Sequence, residues 1–303
     1  MSAEPAAAAI PGVLEREAVT RPRAIRAGIA AVILTVITIA IAALAQGARP
    51  TVTLLDALNV AAGVPLDRPG LTSELLRYYD DTFLPFLAIA IAQGLSFIAY
   101  GAVLLVLVDA VTARGVKVPR VARPAAATGA VLSGITTIAL QIAVQANVSS
   151  ALDAKDWLAL PTGSDAVRFG QFVLFFSTLS LAVATVLIAL AAMRAGLLTK
   201  FLGWVGVGVG AVGGFTLLTA GGADFMSYTF QMMWLLLVVV ALAGRGPAGR
   251  PPAWDAGVAV PWPTQQELRE SRGTGPAPLV PRRAPDTPDP SPATSKKKRK
   301  KRR

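Results

Sequence analysis

The chain contains no cysteine and no histidine in 303 residues. Without Cys there is no disulfide, no thiol redox pair, no cysteine nucleophile and no thiolate-bound iron–sulfur cluster. Without His the usual zinc sites, imidazole-ligated haem and Ser–His catalysis are excluded, that of intramembrane serine proteases included. Charge is scarce as well. Only 16% of residues are charged against 53% hydrophobic, too apolar for one large soluble domain or two small ones, which leaves the membrane class. The net charge of +11 resembles a nucleic-acid signature until it is placed along the chain. From Arg245 onward lie 14 of the 29 Lys and Arg but only 5 of the 18 Asp and Glu, so +9 belongs to the tail. A phosphate-cradling loop is also missing: the glycines after residue 200 follow no strand and precede no Lys-Ser or Lys-Thr.

Six apolar runs are present, at about residues 24–45, 83–108, 124–146, 167–193, 201–218 and 226–243. Each approaches or exceeds the roughly 20 residues that a helix needs to cross the hydrocarbon core. The fold class this predicts is all-α, a polytopic membrane bundle of six transmembrane helices with short surface helices in the first outer loop. Residues 1–23 read as a mostly disordered cytoplasmic leader, and 244–303 as a disordered, Pro-rich, basic cytoplasmic tail. Arg21, Arg23 and Arg26 followed by Ala43-Leu44-Ala45 resemble a signal peptide, but the apolar run is longer than the usual one and is expected to stay uncleaved. In the first loop Thr53 to Ala62 and Leu71 to Tyr79 have amphipathic spacing, separated by Pro65 and Pro69. Tyr78 and Tyr79 suit the headgroup layer, as does Trp157 in the third connection.

Orientation follows from the cations beside the spans. Arg114, Lys117, Arg120 and Arg123 crowd the second connection, and Arg194 and Lys200 the fourth, on the same side as the leader and the tail. Both termini are therefore expected in the cytoplasm of a cell with the protein in its inner (plasma) membrane.

Three patterns stand out as candidates. Gly206, Gly210 and Gly214 recur every fourth residue within a longer glycine ladder and line one helix face, open to a neighbouring helix or to a second copy. Ala126, Ala130 and Gly134 repeat the spacing in the third run, the first candidate partner. Glutamines form the second pattern: Gln46, Gln141, Gln145, Gln171 and Gln231 fall in the outer part of their spans and Gln93 deeper. They either converge on an outward-open polar pocket beneath Asp80, Asp81 and Asp224, or they hydrogen-bond between helices at about 0.6 kcal/mol each. Third, Lys296, Lys297, Lys298, Arg299, Lys300, Lys301, Arg302 and Arg303 form a block that attracts anionic lipid headgroups, binds nucleic acid without specificity, or keeps the tail extended. Nucleic acid is the least favoured of these, since no aromatic residues interleave the cations. Adjacent Asp80 and Asp81 diverge by about 100 degrees on a helix and make no metal or acid–base pair by themselves. Ser177 and Ser180 have no base nearby in sequence.

The six-span layout, the long first loop and the stretch Arg194-x-Gly196-Leu197-Leu198-x-Lys200-x-Leu202-Gly203-Trp204 resemble small bacterial membrane proteins of the domain-of-unknown-function type over residues 24–243. That resemblance implies no particular activity. The spans carry no charge at mid-depth, which disfavours a proton-driven pump. The expected role is noncatalytic and without cofactor: a scaffold, sensor or accessory subunit in contact with lipid, a small ligand or another membrane protein. A facilitator of a small uncharged solute is the alternative, and a carboxylate enzyme acting on lipid comes third.

Overall fold

The structure, a computed structural model, describes residues 12–47, 62–63, 71–154, 161–220, 225–246 and 250–262. Among them every regular element is a helix: α1 (Val13–Gly47), α2 (Leu71–Asp81), α3 (Phe83–Ala113), α4 (Ala122–Asp153), α5 (Asp165–Arg194), α6 (Lys200–Ala220), α7 (Phe225–Leu242) and the single turn α8 (Ala253–Ala256). Four of them, α1, α3, α4 and α5, are long and apolar enough to cross a membrane. Their outer faces are apolar too, with Ile29, Ile33 and Val36 exposed on α1 and Phe169, Phe172 and Phe176 on α5. In water such a belt would drive association, whereas acyl chains solvate it. The helices fit a multi-pass protein embedded in a membrane.

Each long helix packs on its neighbour in the chain, from α1 on α3 through α6 on α7, and α7 closes the ring onto α1. Short connections impose this order, because residues 114–121 and 195–199 leave room only for antiparallel neighbours. The start of α5 is set by Ser164, whose hydroxyl accepts from the Val167 amide, followed by Asp165 in the first turn, where a negative charge opposes the helix dipole.

Small residues let the ring close. A Cβ built on Gly94 of α3 would lie 2.6 Å from the Gly134 carbonyl oxygen, and one on Gly134 would lie 2.6 Å from that of Gly94. Ala130 fills the space against Gly101, and Ala126 is fully buried on the same face. The stripe of α4 thus serves α3. Gly210 presses instead on α5, where an added Cβ would come 2.7 Å from the Ala182 carbonyl oxygen, and Gly206 sits between α5 and α7, where one would come 2.8 Å from the Ala189 Cβ and 2.7 Å from the Trp234 Nε1. Gly214 is looser, 3.7 Å from Leu179. The pairing of the two stripes with each other is therefore corrected: each is taken by the helix next to it in the chain.

Both ends of the expected bundle are also corrected. The leader is helical from Val13, continuous with α1 through Pro22. The tail is folded between Arg250 and Trp262, with Ala253 and Trp254 buried. Composition misleads here, since charge and proline read as solvated chain until their partners are known. Helix α2 forms where amphipathic spacing predicts it, but Tyr78 is buried and donates to the Ala45 carbonyl at 2.7 Å, so it ties α2 to the end of α1. The expected helix at Thr53 to Ala62 lies outside the described residues except for Ala62. Trp157, Asp224, the Gln46 side chain and the block Lys296 to Arg303 also lie outside them.

Candidate functional site

Between α1, α3, α4 and the start of α5 lies a cavity of about 420 Å³. Gln93, Gln141 and Gln171 line it. Gln93 is buried, Gln141 half-buried, and Gln171 exposed. The rest of the wall is neutral, with threonines, aliphatic residues and the ring of Tyr79, which stacks on Phe86 at 5.4 Å between centroids. No charged side chain is among the described lining residues.

One atom in that wall is out of balance. Among the described residues the buried Gln141 side-chain nitrogen has no hydrogen-bond partner. A buried donor left unpaired costs about 1 to 3 kcal/mol, so an acceptor brought into the cavity would recover energy that the protein alone does not.

The remaining glutamines serve elsewhere. Gln145 donates to Asp80 at 2.7 Å and to Ser149 at 3.4 Å, which ties α2 to α4 and gives Asp80 a partner. Gln231 hydrogen-bonds Tyr100, whose hydroxyl also lies 2.9 Å from that of Thr185. Of the five glutamines whose side chains are described, three thus share one cavity and two are bonded outside it. Sequence reading missed Thr35 and Thr38, which also line the cavity from α1. Two threonines three residues apart in an otherwise apolar run share a helix face, and that signal was available.

Beyond Gln93 the bundle closes. Ser96 is buried, with its hydroxyl 2.8 Å from Thr35 and 3.1 Å from the Ala31 carbonyl. Phe97, Tyr100, Val103 and Leu104 follow, all buried. Ser133 donates to Ser177 at 3.0 Å between α4 and α5. Ser177 and Ser180 also donate to the backbone carbonyls of Leu174 and Ala125, which leaves them as structural hydroxyls.

The far end of the bundle is clamped. Arg114, just past α3, makes a two-pronged ion pair with Glu17 of α1 and donates to the Ala253 carbonyl at 2.7 and 3.0 Å. Trp254 donates to the Leu197 carbonyl at 2.9 Å and Trp262 to that of Leu198 at 2.8 Å. Those carbonyls lie just past the C-terminus of α5, where the chain leaves the helix and its acceptors need outside donors. Gly196 makes the turn at φ 75°, and a Cβ there would strike the Val260 carbonyl oxygen. Among the described residues no three acidic side chains gather as a metal site would require. No protein-family model, curated protein or solved structure matches the chain.

Proposed function

We propose that the protein is a noncatalytic ligand-binding membrane component, a sensor or accessory subunit, that takes a small neutral amphiphile with a hydrogen-bond acceptor into the glutamine cavity. The unpaired nitrogen of Gln141 in an uncharged wall carries this reading. A charged ligand would lose its hydration there without a counter-charge, while a neutral one with a carbonyl or hydroxyl oxygen would satisfy Gln141. The closed packing beyond Gln93 supports binding over passage of a solute.

The same proposal has the chain cross the membrane six times. Helices α6 and α7 have 21 and 18 residues, roughly 27 to 32 Å, close to the thickness of the hydrocarbon core. The cation-rich end, with Arg114, Arg123, Arg194 and Lys200, would face the cytoplasm of a bacterial cell and the cavity would open outward. Kinship with six-span bacterial membrane proteins belongs to this proposal as well.

Mass spectrometry of the small molecules that copurify with gently solubilised protein tests the reading. A neutral amphiphile present with wild type and lost from Gln141→Leu and Gln171→Leu is the expected result. The same compound bound equally by all three proteins would defeat it.

A further inference from the structure

The hydroxyls that line the glutamine cavity indicate which headgroup it would hold, an inference that rests on the reading of that cavity as a binding site. Thr35 and Thr38 line it from α1 and Thr137 from α4. A threonine hydroxyl carries one hydrogen and two lone pairs, so where the hydrogen goes decides what is left to offer. Thr38 gives its hydrogen to the Leu34 carbonyl at 3.0 Å, and Thr137 gives its own to the Ser133 carbonyl at 2.7 Å, each four residues back along its helix. At Thr35 the assignment follows by elimination. Ser96 donates its one hydrogen to the Ala31 carbonyl at 3.1 Å, so across the 2.8 Å between the two hydroxyls Thr35 is the donor. What the three threonines have left for the cavity is lone pairs and no hydrogen.

The opposite polarity stands one helical turn away. Gln141 follows Thr137 by four residues on the same face of α4, where Cβ atoms lie about 5 to 6 Å apart, and both line the cavity. The Gln141 side-chain nitrogen is a donor with no partner among the described residues. A donor beside an acceptor matches a hydroxyl, whose oxygen accepts from Gln141 while its hydrogen goes to Thr137. An ester or ketone oxygen would serve Gln141 and leave the threonine without a donor. An ammonium would serve the threonines but bring a charge to a wall with no carboxylate among its described residues. Thr38 adds a second acceptor from another helix, which calls for a second hydroxyl hydrogen. Ile39, Ile89 and Leu140 supply apolar wall for a chain.

We propose that the cavity takes a neutral lipid whose headgroup is a diol, of the monoacylglycerol class, with one hydroxyl between Gln141 and Thr137 and the other on Thr38.

Native mass spectrometry of the full chain, stripped of copurifying lipid in detergent, tests this with 1-monooleoylglycerol and methyl oleate. The two share an acyl chain and an ester and differ in the two hydroxyls. Wild type should bind the monoacylglycerol about tenfold more tightly, as two added hydrogen bonds imply. Thr38→Val and Thr137→Val keep the side-chain shape and remove the oxygen; each should narrow that preference to about threefold and leave methyl oleate binding unchanged. Thr38→Ser and Thr137→Ser keep the oxygen and should keep the preference. Gln141→Leu should weaken both lipids. Equal affinity of wild type for the two lipids would overturn the proposal, as would an unchanged preference in both Val variants or an equal loss of both lipids from them. Wild type that binds neither lipid but copurifies with another neutral amphiphile would remove the diol and leave the proposed function standing. Wild type that binds neither and copurifies with none would remove both.

Discussion

Arg114 holds Glu17 across 97 residues of sequence, with one guanidinium nitrogen 3.0 Å from a carboxylate oxygen and both side chains buried. The guanidinium also lies over the Trp254 ring, 5.2 Å from its centre. One cation therefore joins the start of α1, the end of α3 and the segment after α7. Removing one member of a buried pair leaves the other charged and unpaired, at about 3 to 5 kcal/mol, whereas replacing both by apolar groups costs much less. Arg114→Met and Glu17→Met should each lower unfolding stability in detergent by roughly 3 kcal/mol, and the double variant by less than either. Simple addition of the two losses would show that the pair is not coupled.

The folded tail segment rests on its tryptophans. Trp254→Phe removes the bond to Leu197 and should cost about 1 kcal/mol, whereas Trp254→Ala adds a cavity and should cost about 3 to 5 kcal/mol. Limited proteolysis reads this directly: residues 250–262 should become cleavable in Trp254→Ala under conditions in which wild type is not cut.

Two glycines two residues apart on α6 should respond in opposite ways. At Gly210 a Cβ meets the Ala182 backbone, while at Gly208 it meets open space. Gly210→Ala should destabilise the bundle, and Gly208→Ala should be neutral or stabilise it by up to about 1 kcal/mol through helix propensity. Thermal unfolding of the two variants in one detergent separates them. Equal shifts would mean that α6 does not dock on α5 through this face.

Gln141→Leu should make the empty protein more stable, because it removes a buried donor that has no partner among the described residues. The expected gain is about 1 kcal/mol or more in ligand-free material, together with loss of the bound amphiphile. A variant less stable than wild type after exhaustive removal of small molecules would indicate that Gln141 has a structural partner.

The crossing pattern is checked with a reporter fused after Lys155, expected outside the cell, and one after Arg303, expected in the cytoplasm. A cytoplasmic Lys155 fusion would reverse the orientation argued from the cations.

Much of the fold was legible because hydropathy is a local, additive property. The apolar runs from residue 83 to 108 and from 167 to 193 lie within α3 and α5, and the spacing from Leu71 to Tyr79 marked α2. The helices continue past the apolar runs, α3 to Ala113 and α4 to Asp153, because backbone bonding goes on where the side chains turn polar. Of the cavity, sequence offered Gln93, Gln141 and Gln171 but not their separation from Gln145 and Gln231.

By itself the sequence determined which chemistries are absent, that the chain is helical and apolar, and where its small-residue stripes run. The tertiary structure alone decided which helix each stripe meets, that Glu17 and Arg114 are one buried pair, and that Trp254 and Trp262 cap the end of α5. The reason is physical. A residue's hydropathy is the same wherever it stands, but the partner of a charge or a carbonyl depends on which segments are brought within a few ångströms, and no local pattern records that.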